Sequence, residues 1–194
     1  MIIELPNILD KDTCEQLINY YEKNPQLRRT GDAQQRFNDC TMTTDNIKGD
    51  LLIKVAALTN RLIIKAAKFY NLEELYLDFQ TLAKWEQGAE MAFHADNVTE
   101  DKQPHWYCGW RDYSSILYLN HDYEGGETIF KHQQQRQPPM QGTAILFPAT
   151  YGYTHGVAKV EKGTRYTISS WFTQDPEHCA CFYRHKKHID FCTF

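Results

Sequence analysis

Apolar positions recur at helical spacing in residues 10–23, where Cys14, Leu17, Ile18 and Tyr21 share one side. Asp10 stands where it can cap the first turn, so the pattern predicts a helix. Residues 24–39 are polar with little periodicity and read as a loop with edge structure. A second, broader stripe follows in residues 44–70: Leu51, Leu52, Val55, Leu58, Leu62, Ile63 and Ala66. It predicts a helix packed against a sheet. From residue 75 the period shortens. Strand-like runs fall at 75–85, 115–120, Thr128–Phe130, 143–147 and 165–172. Gly125-Gly126, Pro138-Pro139 and Lys162-Gly163 punctuate them, and 133–137 reads as a hairpin tip. The order predicts an α+β chain with a helical part at 1–74, a β-rich core at about 75–174 and a polar tail at 175–194. Many short strands separated by turns fit a sandwich, a jelly roll or a barrel.

The length of 194 residues suits one domain, 1–194, and 42% hydrophobic residues suffice for one core. The net charge is -4, with acids and bases interspersed, so a nucleic-acid partner finds no electrostatic support. The opening Met1-Ile2-Ile3-Glu4-Leu5-Pro6 lacks the marks of a signal peptide, and no apolar run is long enough to span a membrane. The expectation is a cytoplasmic protein without a membrane partner. The six cysteines then read as thiols. Cys179, Cys181 and Cys192 share the tail with His178, His185 and His188, at spacings that fit none of the usual zinc patterns.

The first chemical motif is His94-Ala95-Asp96. On a strand, residues i and i+2 project from one face, so an imidazole and a carboxylate there could chelate one ion. A second imidazole would complete the two-histidine, one-carboxylate triad of non-haem iron(II) oxygenases. His-x-Asp alone is weak, since a solvated or capped loop gives the same letters. Among later histidines, His121 sits at a strand end beside a turn and His132 in the Gln-rich tip. His155 lies between two apolar strands, and Arg165 follows on the second of them. A 2-oxo acid chelating the metal would leave its other carboxylate to be anchored. A guanidinium binds a carboxylate bidentately and keeps its charge when buried. A surface strand residue is the alternative for Arg165, although Thr164, Tyr166, Ile168 and Trp171 around it favour a half-buried strand.

Several blocks then recur in order over residues 79–172. Gly88, His94 and Asp96 stand in the first, with Trp85 and Met91 where tyrosines are usual. The second holds Arg111, Ser114 in place of threonine, Tyr118-Leu119-Asn120, Gly125-Gly126-Glu127-Thr128 and Phe130. The third runs through Gly142-Thr143-Ala144-Ile145-Leu146-Phe147, His155, Gly163-Thr164-Arg165-Tyr166 and Trp171. Together they resemble the 2-oxoglutarate/iron(II) dioxygenase superfamily, in its prolyl 4-hydroxylase-like branch. The resemblance implies a double-stranded β-helix (jelly roll) with the N-terminal helices packed on one sheet. It implies Fe(II) held by His94, Asp96 and His155, with no catalytic residue beyond the metal centre. Arg165 and Tyr118 would hold 2-oxoglutarate, and Ser169 would add a hydroxyl to the same pocket. O2 would be consumed, 2-oxoglutarate would become succinate and carbon dioxide, and ascorbate would serve as reductant. Asp96 points to hydroxylation, because the halogenases of this superfamily lack the carboxylate. Trp171 occupies the position where nucleic-acid demethylases carry a second arginine. The implied substrate is a peptide or protein containing proline. The alternatives are another residue, a free amino acid or a small metabolite, and, outside enzymes, a jelly-roll binding module. Residues 97–110 read either as a substrate-facing loop, with Trp106, Tyr107 and Trp110 free to stack on a pyrrolidine, or as a lid packed on the barrel. Trp85, Met91, Arg111 and Trp171 complete the expected substrate side. The Arg28-Arg29 pair and Tyr20-Tyr21 could line a groove, although a solvated face is the preferred reading, and the sequence leaves the oligomeric state open.

Overall fold

The computed structural model describes residues 1–29 and 40–180. The elements are β1 (Ile3–Leu5), α1 (Lys11–Lys23), β2 (Thr41–Thr43), α2 (Asp50–Tyr70), β3 (Tyr76–Trp85), β4 (Met91–His94) and β5 (Tyr113–Tyr118). They continue with β6 (Glu124–Gly125), β7 (Thr128–Phe130), β8 (Gln135–Gln137), β9 (Ala144–Pro148), β10 (His155–Val157), β11 (Val160–Lys162) and β12 (Arg165–Thr173). Asp10 caps α1 as its sequence predicts, its side chain accepting from the Thr13 backbone N–H at 2.8 Å. The second helix starts later than residue 44. Thr44–Asn46 form a separate 3₁₀ turn, and Gly49, with φ +66°, redirects the chain into α2. Residues 30–39 of the predicted loop and 181–194 of the tail, with Cys181, His185, His188 and Cys192, lie outside the described residues.

A six-stranded sheet runs in the order β1-β9-β5-β12-β3-β2, and a four-stranded sheet in the order β4-β10-β7-β8. The strand pairs within them are antiparallel. This is the jelly roll, with both helices on the outer face of the larger sheet. The period of two in the strands sorts their side chains between two cores. Leu82, Leu117, Ala144, Leu146, Ile168 and Phe172 face the helices and pack with Cys14, Leu17, Tyr21, Leu58 and Leu62. Their neighbours Ile116, Tyr118, Ile145 and Phe147 point the other way, against Phe130 of the smaller sheet. Each such side chain taken fully out of water contributes about 1.5–3 kcal/mol. The helical stripe is narrower than its letters: Leu52 is 37% exposed and takes no part in the core.

One polar cluster ties α1 to the sheet. Glu22 accepts from the Tyr166 hydroxyl at 2.5 Å and pairs with Lys84 at 3.1 Å and Arg28 at 3.2 Å. Gln135–Gln137 pairs with Thr128–Phe130, so the Gln-rich segment is the returning strand and tip of a hairpin. Among the described residues no helix is long and apolar enough to cross a membrane.

Candidate metal and cosubstrate site

The same alternation that fills the outer core leaves the inner face of the large sheet polar at one end. On β12, Arg165, Ser169 and Trp171 share a face, and β3 sets Thr81, Ala83 and Trp85 beside them. The small sheet supplies the histidines. His155 opens β10 and stands opposite His94, the last residue of β4. Gly156 allows this approach: a Cβ there would lie 2.7 Å from the Met91 carbonyl oxygen of β4. Asp96 is not on the strand. The chain bends after His94, and the Asp96 backbone N–H donates to the Ala149 carbonyl at 3.1 Å. The shared strand face expected for His94 and Asp96 is therefore replaced by a turn that folds the carboxylate back toward the imidazoles.

The ligand atoms of His94, Asp96 and His155 lie within 4.8 Å of one another. His94 Nε2 is 3.6 Å from Asp96 Oδ1, and His155 Nε2 is 3.8 Å from Asp96 Oδ2. Those separations are too long for hydrogen bonds, so the three groups converge without satisfying each other. Each imidazole is oriented from behind. His94 Nδ1 lies 3.1 Å from the Ala92 carbonyl, and His155 Nδ1 lies 3.1 Å from the Tyr153 carbonyl. A carbonyl only accepts, so it selects the Nδ1–H tautomer and leaves both Nε2 lone pairs facing inward. Ser114 fixes the carboxylate, its hydroxyl donating to Asp96 Oδ2 at 2.6 Å.

In the metal-free site burial lowers His94, but Asp96 outweighs it and holds the imidazole above its ordinary value. Burial raises the Asp96 carboxyl, but His155, His94 and the Ser114 hydroxyl outweigh it and hold it well below the usual carboxylate range. Burial pushes His155 down to about 4, against the pull of Asp96. A charged carboxylate and a neutral buried imidazole are the forms that bind a cation. Two imidazoles and one carboxylate suit a divalent iron and leave open positions for other ligands. The residues present therefore fit the metal implied by the sequence.

Arg165 is the other unusual group. It is 1% exposed. The arginine ion pairs among the described residues are Arg28–Glu22, Arg111–Asp78 and Arg136–Glu127, and Arg165 has none. One long hydrogen bond runs from its Nη2 to Thr128 Oγ1 at 3.4 Å, and its Nε has no partner. The guanidinium lies over the Trp85 ring at 4.9 Å and the Tyr118 ring at 5.5 Å. A buried cation without an anion costs several kcal/mol. The geometry leaves room for an anion in the same cavity, of about 50 Å³, that His94, Asp96, His155, Ser115, Ser169 and Arg165 line. The Tyr118 hydroxyl does not reach into the cavity as a free donor, because it donates to Thr128 Oγ1 at 2.8 Å.

This inner cavity opens into an outer one of about 750 Å³. Trp85, Met91, His94, Ser169 and Trp171 line both. In the outer wall Trp171 stacks on Phe79 at 6.0 Å, and the Arg111 guanidinium sits 4.5 Å above the Trp171 ring. Asp78 pins Arg111 there through its Nε at 2.8 Å. Tyr107 also lines the outer cavity. Two of the expected aromatics do not. Trp106 is 89% exposed, projecting to solvent from the turn. Trp110 is drawn away from the opening, its Nε1 donating to Asp78 at 3.1 Å and its ring stacked on His178 at 3.9 Å.

Sequence reasoning missed Ser114 as a partner of Asp96, although its position on the Ile116 and Tyr118 face of β5 carried the signal. It also missed Asp78 and Phe79, which line the outer cavity, and preferred a solvated face for Arg29, which lines it too. Asp78 meets Arg111 across 33 residues, and no local pattern encodes that pairing.

Residues 80–173 match the sequence profile of the 2OG-Fe(II) oxygenase superfamily. The chain is 45% identical over 82 residues to prolyl 3-hydroxylase 1 of Gallus gallus, a match covering 40% of this chain and 11% of that protein. It is 40% identical over 95 residues to prolyl 3-hydroxylase 2 of Homo sapiens, covering 43% and 13%. The chain therefore spans only a small part of the length of these curated relatives. In structure it is similar to the viral collagen prolyl hydroxylase of Paramecium Bursaria Chlorella virus-1 in complex with 2OG. The TM-score is 0.67 at 18% identity, over 89% of this chain and 94% of that one.

Proposed function

We propose that this chain, whose residues 80–173 match the 2OG-Fe(II) oxygenase superfamily, is an oxygenase of that kind and hydroxylates a peptidyl proline with 2-oxoglutarate as cosubstrate. The observation that carries the reading is the buried, unpaired Arg165 in the cavity that also holds the His94, Asp96 and His155 ligand atoms. A structural metal site has no use for an unmatched cation beside it. A chelating acid with a second carboxylate uses both.

His94, Asp96 and His155 would hold Fe(II). When bound there, the iron supplies the O2 activation that couples conversion of 2-oxoglutarate to succinate and carbon dioxide with hydroxylation of a C–H bond. The protein's part is positional. Arg165 fixes the distal carboxylate by charge-assisted hydrogen bonds. Ser114 keeps Asp96 turned toward the histidines. The carbonyls of Ala92 and Tyr153 keep both imidazoles in the metal-binding tautomer. Trp85, Met91 and Trp171 stand at the junction of the two cavities, where they exclude water and limit what reaches the metal. The Phe79–Trp171 wall offers an aromatic face to a pyrrolidine ring. The width of the outer cavity and the prolyl hydroxylase relatives favour a peptide over a free amino acid. Ascorbate is the expected reductant.

The test is product analysis. The chain is incubated with Fe(II), ascorbate, 2-oxoglutarate and O2, and with proline-containing peptides or free amino acids in parallel. Hydroxyproline in hydrolysed peptide, resolved into its 3- and 4-isomers, supports the proposal. Substrate-stimulated succinate without oxidised proline refutes the prolyl substrate while retaining the oxygenase.

A further inference from the structure

The outer cavity carries more positive charge than its own wall neutralises. Apart from His94, the charged side chains among its described lining residues are Arg29, Asp78 and Arg111. Asp78 is engaged on both oxygens within the wall. Its Oδ1 accepts from Trp110 Nε1 at 3.1 Å and its Oδ2 from Arg111 Nε at 2.8 Å. That pairing offsets Arg111 but occupies only the Nε side of its guanidinium. Neither Nη atom has a hydrogen-bond partner among the described residues, and the Trp171 ring at 4.5 Å holds the group in place. Arg29 has no ion pair among the described residues, and its guanidinium lies over the Phe79 ring at 5.6 Å. The main chain sets its position: the Arg29 N–H donates to the Thr41 carbonyl at 2.8 Å, beside the Arg28–Met42 bridge at the edge of the large sheet. The two arginines therefore flank the Phe79–Trp171 pair, Arg29 at one ring and Arg111 at the other. A guanidinium held against a ring keeps an N–H edge open, and that edge matches a carboxylate. The chain as a whole has a net charge of -4, so a cavity with two arginines to one carboxylate runs against the overall balance and attracts anionic segments.

We propose that the peptide taken by this site carries an acidic side chain close to the target proline, with Arg29 selecting it and the open Nη edge of Arg111 as the second donor. This rests on the prolyl reading above, and its test separates the two. Peptides blocked at both ends carry Glu, Gln or Lys in turn at each position flanking a single proline, and a parallel set keeps a free carboxyl terminus. Hydroxyproline formation at low ionic strength is measured for the full-chain wild type, Arg29→Gln and Arg29→Glu. Arg29 is exposed, and its backbone bond to Thr41 survives both substitutions, so the fold is kept. At the favoured position the blocked Glu peptide is expected to exceed its Gln counterpart about tenfold in kcat/KM, through KM, with kcat within about twofold. Added salt is expected to shrink that advantage. Arg29→Gln is expected to reduce it to about threefold, since Arg111 remains, and Arg29→Glu to favour Lys over Glu. Equal kcat/KM for the Glu, Gln and Lys peptides overturns the proposal and leaves the prolyl reading standing, and so does a Glu preference that Arg29→Glu leaves intact. A preference that appears only with the free carboxyl terminus assigns the arginines to that terminus and overturns the acidic side chain. Succinate without hydroxyproline from every peptide, whatever its charge, overturns the prolyl reading itself, and this proposal with it.

Discussion

Replacing Arg165 with methionine is expected to move stability and ligand binding in opposite directions. In the ligand-free chain the guanidinium is 1% exposed and has no carboxylate partner. Its favourable contacts are one hydrogen bond of 3.4 Å to Thr128 and the faces of Trp85 and Tyr118. Each desolvated cation–π contact contributes up to about 2 kcal/mol. Against these stands a desolvation cost of several kcal/mol for a buried unpaired ion. Methionine fills a similar volume without charge and adapts its shape. The balance predicts that Arg165→Met is neutral or more stable by up to about 2 kcal/mol in the absence of metal and 2-oxoglutarate. With 2-oxoglutarate at 100 times its dissociation constant, the metal-loaded wild type gains about 2.7 kcal/mol. For a chain of this size that is a rise of roughly 5–10 °C in melting temperature. The variant is expected to show almost none of that rise. Thermal denaturation with and without metal and 2-oxoglutarate measures both effects. Two results refute the reasoning: a loss of more than about 2 kcal/mol in the ligand-free variant, or a 2-oxoglutarate-induced rise equal to that of the wild type. The first would mean that Arg165 is satisfied within the protein. The second would mean that it does not meet the ligand.

Three further outcomes follow from the same geometry. Ser114→Ala removes the donor to Asp96 Oδ2 and is expected to weaken Fe(II) binding about 10–100-fold, with Ser114→Thr restoring it, as read by metal titration. Phe79→Ala opens the outer wall behind Trp171 and is expected to raise the KM for a proline peptide about fivefold while 2-oxoglutarate binding holds; Trp106→Ala, at a solvent-facing position, is expected to change neither. Glu22→Gln tests the clasp between α1 and the sheet across pH. Burial raises the Glu22 carboxyl, but the Tyr166 hydroxyl, Lys84 and Arg28 lower it further, so its folded value lies below the usual 4.5. A depressed carboxylate stabilises above its unfolded value and loses that contribution as pH falls through the folded one. Lys84, raised above 10.5 by Glu22 and Glu86 against the effect of burial, sets the upper limit. The difference in melting temperature between wild type and Glu22→Gln is therefore expected to be flat from about pH 6 to 9 and to vanish in acid. A difference that persists at pH 2–3 contradicts the assignment.

The long elements were legible because their periodicity is carried by many residues. The stripe from Val55 to Ala66 and the alternation from Arg165 to Phe172 each survive a few exceptions. Strands of three or four residues, such as Thr41–Thr43, Met91–His94 and His155–Val157, offer too few positions for a period, and pairing in the fold creates them. In the site, His94, Asp96, His155 and Arg165 could be named because their chemistry is distinctive and their order matched a known family. Their supports were hidden for another reason. The Ala92 and Tyr153 carbonyls are backbone atoms, common to all residues, and their role follows only from where the chain bends. The partner of the Tyr118 hydroxyl is hidden in the same way, since only the fold places it against Thr128. The aromatic run Trp106-Tyr107 and Trp110 misled in the opposite way, since two of its three rings face solvent or His178 and not the cavity.

The most direct test of the account is the coupling of succinate to oxidised peptide. Succinate and hydroxyproline are measured in one reaction with Fe(II), ascorbate, 2-oxoglutarate and a proline-containing peptide, for the wild type and for His155→Ala. The account predicts that the wild type forms the two products in near equal amounts and that His155→Ala forms neither. Equal turnover in His155→Ala would contradict the metal site, and with it the reaction built on His94, Asp96 and His155.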